Sequence, residues 1–255
     1  MITDVIFLLV GVGVGTLGTL MGAGGGFILV PFLLFLYPEY SPSLVTGISM
    51  LAVAANAWSG SVAYIFLKRV HWRSALLFTA ASLPGAWVGV RLGEIIPRAQ
   101  FEMFFGVLLL LVASFLSWRS IKNSRISGSR EPSVRAYVGG SLISLGVGVL
   151  ASFVGIGGGI IHVPLLSEVL GYPLHLATGT SHFILAVSAS VTVLSHASAG
   201  HYAELPSFVP YLIVGIVVGA QAGARLSKKV PAQRILQLLA LALGFVGFRL
   251  LFRSF

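Results

Sequence analysis

The chain has 255 residues, of which 56% are hydrophobic and 9% charged; an ordinary soluble domain carries about 25% charge. With a mean hydropathy of +0.98, this excludes a soluble enzyme and a disordered chain. The apolar residues come in runs long enough for membrane helices. An outer-membrane barrel is excluded as well, because its strands would alternate apolar and polar over about ten residues. The formal net charge of +9 points to basic cytoplasmic loops and not to a nucleic-acid partner.

There is no cysteine, so disulfides, thiolate metal sites and cysteine nucleophiles are excluded. All seven acids (Asp4, Glu39, Glu94, Glu102, Glu131, Glu168 and Glu204) lie at or near the ends of apolar runs. The four lysines (Lys68, Lys122, Lys228 and Lys229) do the same. A cation pump would keep a carboxylate at membrane depth, and a retinal protein would need a buried lysine. Met1-Ile2-Thr3-Asp4 lacks the basic start of a cleavable leader, so the first apolar segment is expected to stay.

In chain order the apolar stretches are 5–37, 42–67, 74–92, 101–118, 136–170, 174–199, 208–224 and 235–252. The one long polar stretch, 119–135, is basic and serine-rich and reads as a cytoplasmic linker. It divides a first repeat, 1–118, from a second, 136–255. The halves match in three blocks in the same order. Gly22–Pro31 (GAGGGFILVP) matches Gly155–Pro164 (GIGGGIIHVP). Val45–Ser49 (VTGIS) matches Ala177–Ser181 (ATGTS), and Gly85–Leu92 (GAWVGVRL) matches Gly219–Leu226 (GAQAGARL).

The stretch 5–37 is too long for one ordinary membrane helix and short for two. Three consecutive glycines break it near its middle, leaving legs of roughly 20 Å. This predicts a re-entrant helical hairpin in each repeat, followed by three transmembrane helices. Charge agrees. A hairpin plus three crossings puts Lys68, Arg69, Arg73, Arg119, Lys122, Arg125, Arg130, Arg135, Arg225, Lys228, Lys229 and Arg234 on one face, 12 basic residues against 4. Four full crossings per repeat give 10 against 6, a weaker inside-positive bias. Three crossings per repeat also invert the second relative to the first, a pattern of secondary transporters. The fold class is an all-α polytopic membrane protein of two inverted repeats, in the cytoplasmic membrane.

Three groups of residues carry candidate chemistry. Gly24, Gly25 and Gly26, and at matched positions Gly157, Gly158 and Gly159, each precede an apolar half-helix. A helix start leaves about four backbone N–H groups unpaired with about half a positive charge, and glycine lets a ligand approach them. Two such starts converging near the midplane would hold an anion without a charged side chain; the alternative is close helix packing. Thr46, Ser49 and Asn56 share one helical face, as do Thr178, Ser181, Ser188 and Thr192. Their hydroxyl and amide groups suit an oxyanion, or else bond helix to helix.

Five of the six histidines lie in the second half. His162 follows the glycine run and His182 follows Ser181; their partners in the first half are Leu29 and Met50. Either could donate to an anion or carry a coupled proton; a satisfied neutral imidazole is the alternative. No spacing supports a metal site, and no cofactor is expected. Glycines four apart, at 85, 89 and 93 and at 215, 219 and 223, read as packing faces.

The duplicated GxGGG(x)4P, TG[IT]S and GAxxGxRL segments resemble the TauE/SafE family of sulfite and organosulfonate exporters over nearly the whole chain. The resemblance implies a secondary carrier for a small sulfur-containing oxyanion such as sulfite or sulfoacetate. The expected substrate site is Gly24–Gly26, Gly157–Gly159, Ser49, Asn56, His162, Ser181 and His182. Alternating access with export is the first expectation, and association of copies stays open. Proton-coupled anion uptake and an anion channel are the rivals. An intramembrane serine protease would need Gly-x-Ser-Gly, which does not occur, so no enzyme is expected.

Overall fold

A computed structural model describes residues 2–121, 132–227 and 232–253 of the chain. Most of the expected linker (residues 122–131), together with Lys228 and Lys229, lies outside the described residues. The described residues form helices and connecting turns: α1 (Ile2–Met21), α2 (Gly26–Leu36), α3 (Pro42–Phe66), α4 (Trp72–Ile95), α5 (Arg98–Ile121), α6 (Val134–Val154), α7 (Gly159–Pro164), α8 (Leu174–Ser198), α9 (Val209–Leu226) and α10 (Ala232–Arg253). A π-helical turn, Leu165–Val169, prolongs α7. Seven of these helices are long and apolar enough to cross a membrane.

Local chemistry sets the helix starts. Ser41 caps α3 by accepting the Leu44 amide at 3.2 Å, with Pro42 in the first turn. Ser133 caps α6 in the same way through Ala136. The His71 ring accepts the Ser74 amide at the start of α4. These side chains satisfy amides that a helix start leaves open.

Each glycine-broken stretch begins and ends at one end of the bundle. Phe7, near the start of α1, stacks on Tyr37 just past α2, with ring centroids 6.3 Å apart. The Tyr137 hydroxyl, near the start of α6, lies 3.2 Å from that of Tyr172, past the π turn. The two ends differ. Tyr37 and Tyr40 adjoin the start of α3, whereas the Tyr172 hydroxyl reaches Ser74 at 2.9 Å and His71 at 3.2 Å, beyond its far end. The intervening α3 has 25 residues, about 37 Å of helix. Each stretch therefore returns to the end where it starts. The legs are unequal: 20 residues in α1 and 11 in α2, against two legs of about 20 Å read from the glycine position. The first turn of α1 overhangs the point where Phe7 meets Tyr37.

Packing respects the repeat. α1 packs along α9, and α6 packs along α4; α3 with α8 and α5 with α10 pair like with like. Exchanging the repeats maps each of these contacts onto another. The small-residue faces make the cross-repeat contacts close. Any side chain at Gly215, Gly219 or Gly223 would collide with the carbonyls of Leu8, Val12 or Thr16. Gly85 and Gly89 meet the carbonyls of Leu145 and Val149 in the same way. Loops close the ends: Arg98 pairs with buried Glu102 at 2.6 Å and donates to the carbonyls of Pro38, Tyr40 and Leu34. Tyr202 donates to the Gly47 carbonyl at 3.1 Å, and burial raises its pKa above the ordinary phenol value, so it remains a neutral donor.

Candidate functional site

The two glycine runs form the hairpin tips, and the tips touch. Gly24 and Gly157 adopt φ of +78° and +75°, a left-handed backbone that glycine takes without strain. Both lie against the same pair of side chains, Val53 and Leu185, themselves matched positions in the repeat. A methyl on Gly26 would sit 2.6 Å from the Gly155 carbonyl oxygen, and one on Gly159 would overlap that of Gly22. Gly24, Gly25, Gly26, Gly157, Gly158 and Gly159 are all buried. Among the described residues, the amides of Gly25, Gly26 and Phe27, and those of Gly157–Ile160, find no backbone or side-chain acceptor.

The serines of the TG[IT]S segments reach across the repeat boundary. Ser49 donates to the Gly155 carbonyl at 2.6 Å. Ser181 donates to the Gly22 carbonyl at 3.2 Å and lies 3.3 Å from that of Gly159. Each hydroxyl holds the tip of the opposite hairpin, and both side chains are fully buried. In this arrangement their donors are committed to backbone.

Beside the second tip lies a cavity of about 10 Å³, the size of one water molecule. Ser82, Ser152, His162, Ser188 and Thr192 line it, with the backbone of Gly157 and Gly158, and Met50 and Leu185. His162 is the one ionisable side chain among its lining residues. The Ser152 and Thr192 hydroxyls are 2.6 Å apart, and Ser188 donates to the Leu185 carbonyl at 3.3 Å. His162 is held at both ring nitrogens: Nδ1 lies 3.0 Å from the Gly158 carbonyl and Nε2 3.0 Å from the Ser144 hydroxyl. A carbonyl only accepts, so Nδ1 carries the proton and Nε2 accepts from Ser144.

The matched place beside the first tip is filled. Asn56 donates to the Gly15 carbonyl at 2.8 Å. Its own carbonyl accepts from Thr19 at 3.0 Å and faces Nε2 of His182 at 3.3 Å. Tyr64 donates to the Thr19 carbonyl at 3.0 Å and meets the His182 ring edge-to-face. Asn56 and His182 are fully buried.

Thus the structure groups Ser49, Ser181 and the glycines at the paired tips. It sets His162 beside the second tip and Asn56 with His182 beside the first. Sequence reasoning did not single out Ser152, Thr19, Ser82 or Tyr64. Thr19 and Ser152 stand three residues before matched Gly22 and Gly155, so extending the repeat match upstream would have found that pair. Nothing in the sequence marks Ser82, whose matched position is Ile216.

A family model described as sulfite exporter TauE/SafE matches residues 7–250. The probable membrane transporter protein YunE of Bacillus subtilis is 28% identical, over 98% of each chain. A probable membrane transporter protein of Xylella fastidiosa is 28% identical over 84% of this chain and 81% of its own. The probable membrane transporter protein MJ0441 of Methanocaldococcus jannaschii is 24% identical over 95% and 93%. No solved structure matches the chain significantly.

Proposed function

The chain belongs to the TauE/SafE family of membrane transporters, and from that premise we propose that it is a secondary carrier exporting a small sulfur-containing oxyanion, sulfite or an organosulfonate such as sulfoacetate. The observation that carries this reading is the meeting of two matched glycine tips beside a cavity rich in hydroxyl groups. Unpaired amides at half-helix starts offer hydrogen bonds and partial positive charge to an oxyanion. Rotatable hydroxyls can turn toward it. Each terminus contributes about 0.3–2 kcal/mol, so several donors act together.

The approach of the two glycine-broken stretches from opposite ends supports alternating access across the cytoplasmic membrane with the basic loops inside. A water-sized cavity is an occluded arrangement that widens toward one end at a time. Interior-negative voltage favours anion exit by about 2.3 kcal/mol per charge per 100 mV, so export needs no coupled ion. The membrane-transporter names of the relatives support a carrier over an enzyme.

The test is transient current on a solid-supported membrane bearing reconstituted protein, with sulfite, sulfoacetate, sulfate, acetate and taurine at matched pH. Currents with sulfite or sulfoacetate and none with acetate are expected, independent of an imposed pH gradient. Currents that require an inward proton gradient would replace this reading with proton-coupled uptake.

A further inference from the structure

The duplicated fold offers two places for an anion, one beside each hairpin tip, and they are not equivalent. We propose that only the second-repeat place, beside Gly157 and Gly158, binds the substrate, and that His182 permanently fills its counterpart in the first repeat. This rests on the anion-carrier reading above and names which half of the molecule holds the anion.

Matched positions show how the difference arises. Ser152, Ser188 and Thr192 line the cavity; the first repeat has Thr19, Asn56 and Gly60 there. Met50 forms part of the cavity wall, and its partner is His182. The loss of a side chain at Gly60 is what admits the imidazole. A methyl on Gly60 would lie 2.5 Å from Cδ2 and 2.7 Å from Nε2 of His182, so the ring lies on the bare backbone where Thr192 stands in the other half. Asn56 is long enough to reach that ring, whereas the matched Ser188 is not.

Hydrogen bonding separates the two places further. In the first, Asn56 spends its amide on Gly15 and its carbonyl on Thr19 and His182. Thr19 spends its hydroxyl on Asn56. The His182 ring, packed on the bare backbone of Gly60, takes the space that an oxyanion would need. In the second, the small hydroxyls bond only one another or a carbonyl of their own helix. Such hydroxyls reorient to a ligand at the loss of one weak bond each. Parting of the tip from α8 widens the cavity they surround for the SO3 group of a sulfite or sulfonate. His162, pinned between Ser144 and Gly158, then fixes the cavity wall.

The matched pair Thr19 and Ser152 gives a direct test. Each is changed to valine, which nearly preserves threonine's shape and removes the hydroxyl. Equilibrium binding of radiolabelled sulfite and of sulfoacetate is measured on purified protein in nanodiscs, with thermal unfolding as the control for folding. One anion per chain is expected in the wild-type protein. Ser152→Val should weaken binding at least tenfold, and Thr19→Val should leave it within about threefold. Should Ser152→Val fail to fold, Thr192→Val removes the partner hydroxyl and should give the same loss. Two anions per chain, equal losses in the two variants, or a loss confined to Thr19→Val would overturn the assignment while leaving the carrier reading in place. A wild-type protein that binds neither anion would instead overturn the carrier reading and this inference with it.

Discussion

Ser49 makes a short hydrogen bond to a carbonyl 106 residues away in sequence, and Ser181 reaches one 159 residues away. Both bonds hold the hairpin tips in place, because a tip turn leaves carbonyls that nothing in its own hairpin can satisfy. Removing a hydroxyl strands such a carbonyl in the interior. Ser49→Ala is therefore expected to lower stability by about 1–3 kcal/mol, read as a lower melting temperature of the detergent-solubilised protein. An unchanged melting temperature would show that the Gly155 carbonyl needs no partner. The residue types were legible: a serine in each matched TG[IT]S segment, on a buried face, announces a polar role. Their partners were not, because a sequence pattern carries no information about which backbone folds against it. The surroundings of His182 were hidden for the same reason, since its place depends on the missing side chain at Gly60.

At the scale of elements, glycine spacing decides which helices touch. Gly219 lies against the Val12 carbonyl, whereas a methyl on Gly13, one position along α1, would meet nothing within 4 Å. Gly219→Leu should force α1 and α9 apart, and loss of packing on that scale costs several kcal/mol. Gly13→Leu should be tolerated. Monodispersity after solubilisation and thermal unfolding compare the two; equal behaviour would mean that the glycine face is not a contact. The period-four glycines predicted this face directly. The hairpin break was equally plain, since consecutive glycines interrupt a helix. The unequal legs were not legible. An apolar run records where a segment can lie in lipid, not where its partner leg begins to pack, and the overhang before Phe7 is set by contacts with Tyr37 and Phe208.

For the whole molecule, repeat and charge pattern together imply a topology that labelling can check. Arg69 reaches Ser227 at 3.5 Å, so the loops after α3 and α9 share one end, and Gly200, after α8, belongs to the other. Single cysteines at Val70 and Ser227 should react with an impermeant thiol reagent only from the cytoplasmic face, and one at Gly200 only from the opposite face. Reaction of the Val70 and Ser227 variants from different faces would contradict the arrangement. The same geometry puts the paired tips between the two ends, where a carrier's site must lie to be reached from each side in turn.

In the proposed function a small oxyanion binds at those tips and is carried, not conducted. Gly158 is the place to test it. Its φ of −71° is one that any residue adopts, and a Cβ there would lie 2.7 Å from Val147 and 3.0 Å from the His162 ring, so leucine blocks the cavity by displacing those side chains and needs no left-handed backbone. Counterflow of radiolabelled sulfite into proteoliposomes preloaded with unlabelled sulfite measures carriage directly. A transient overshoot of label is expected with the wild-type protein and none with Gly158→Leu, both being equally inserted. Label that equilibrates without an overshoot, or an overshoot undiminished in Gly158→Leu, would contradict it.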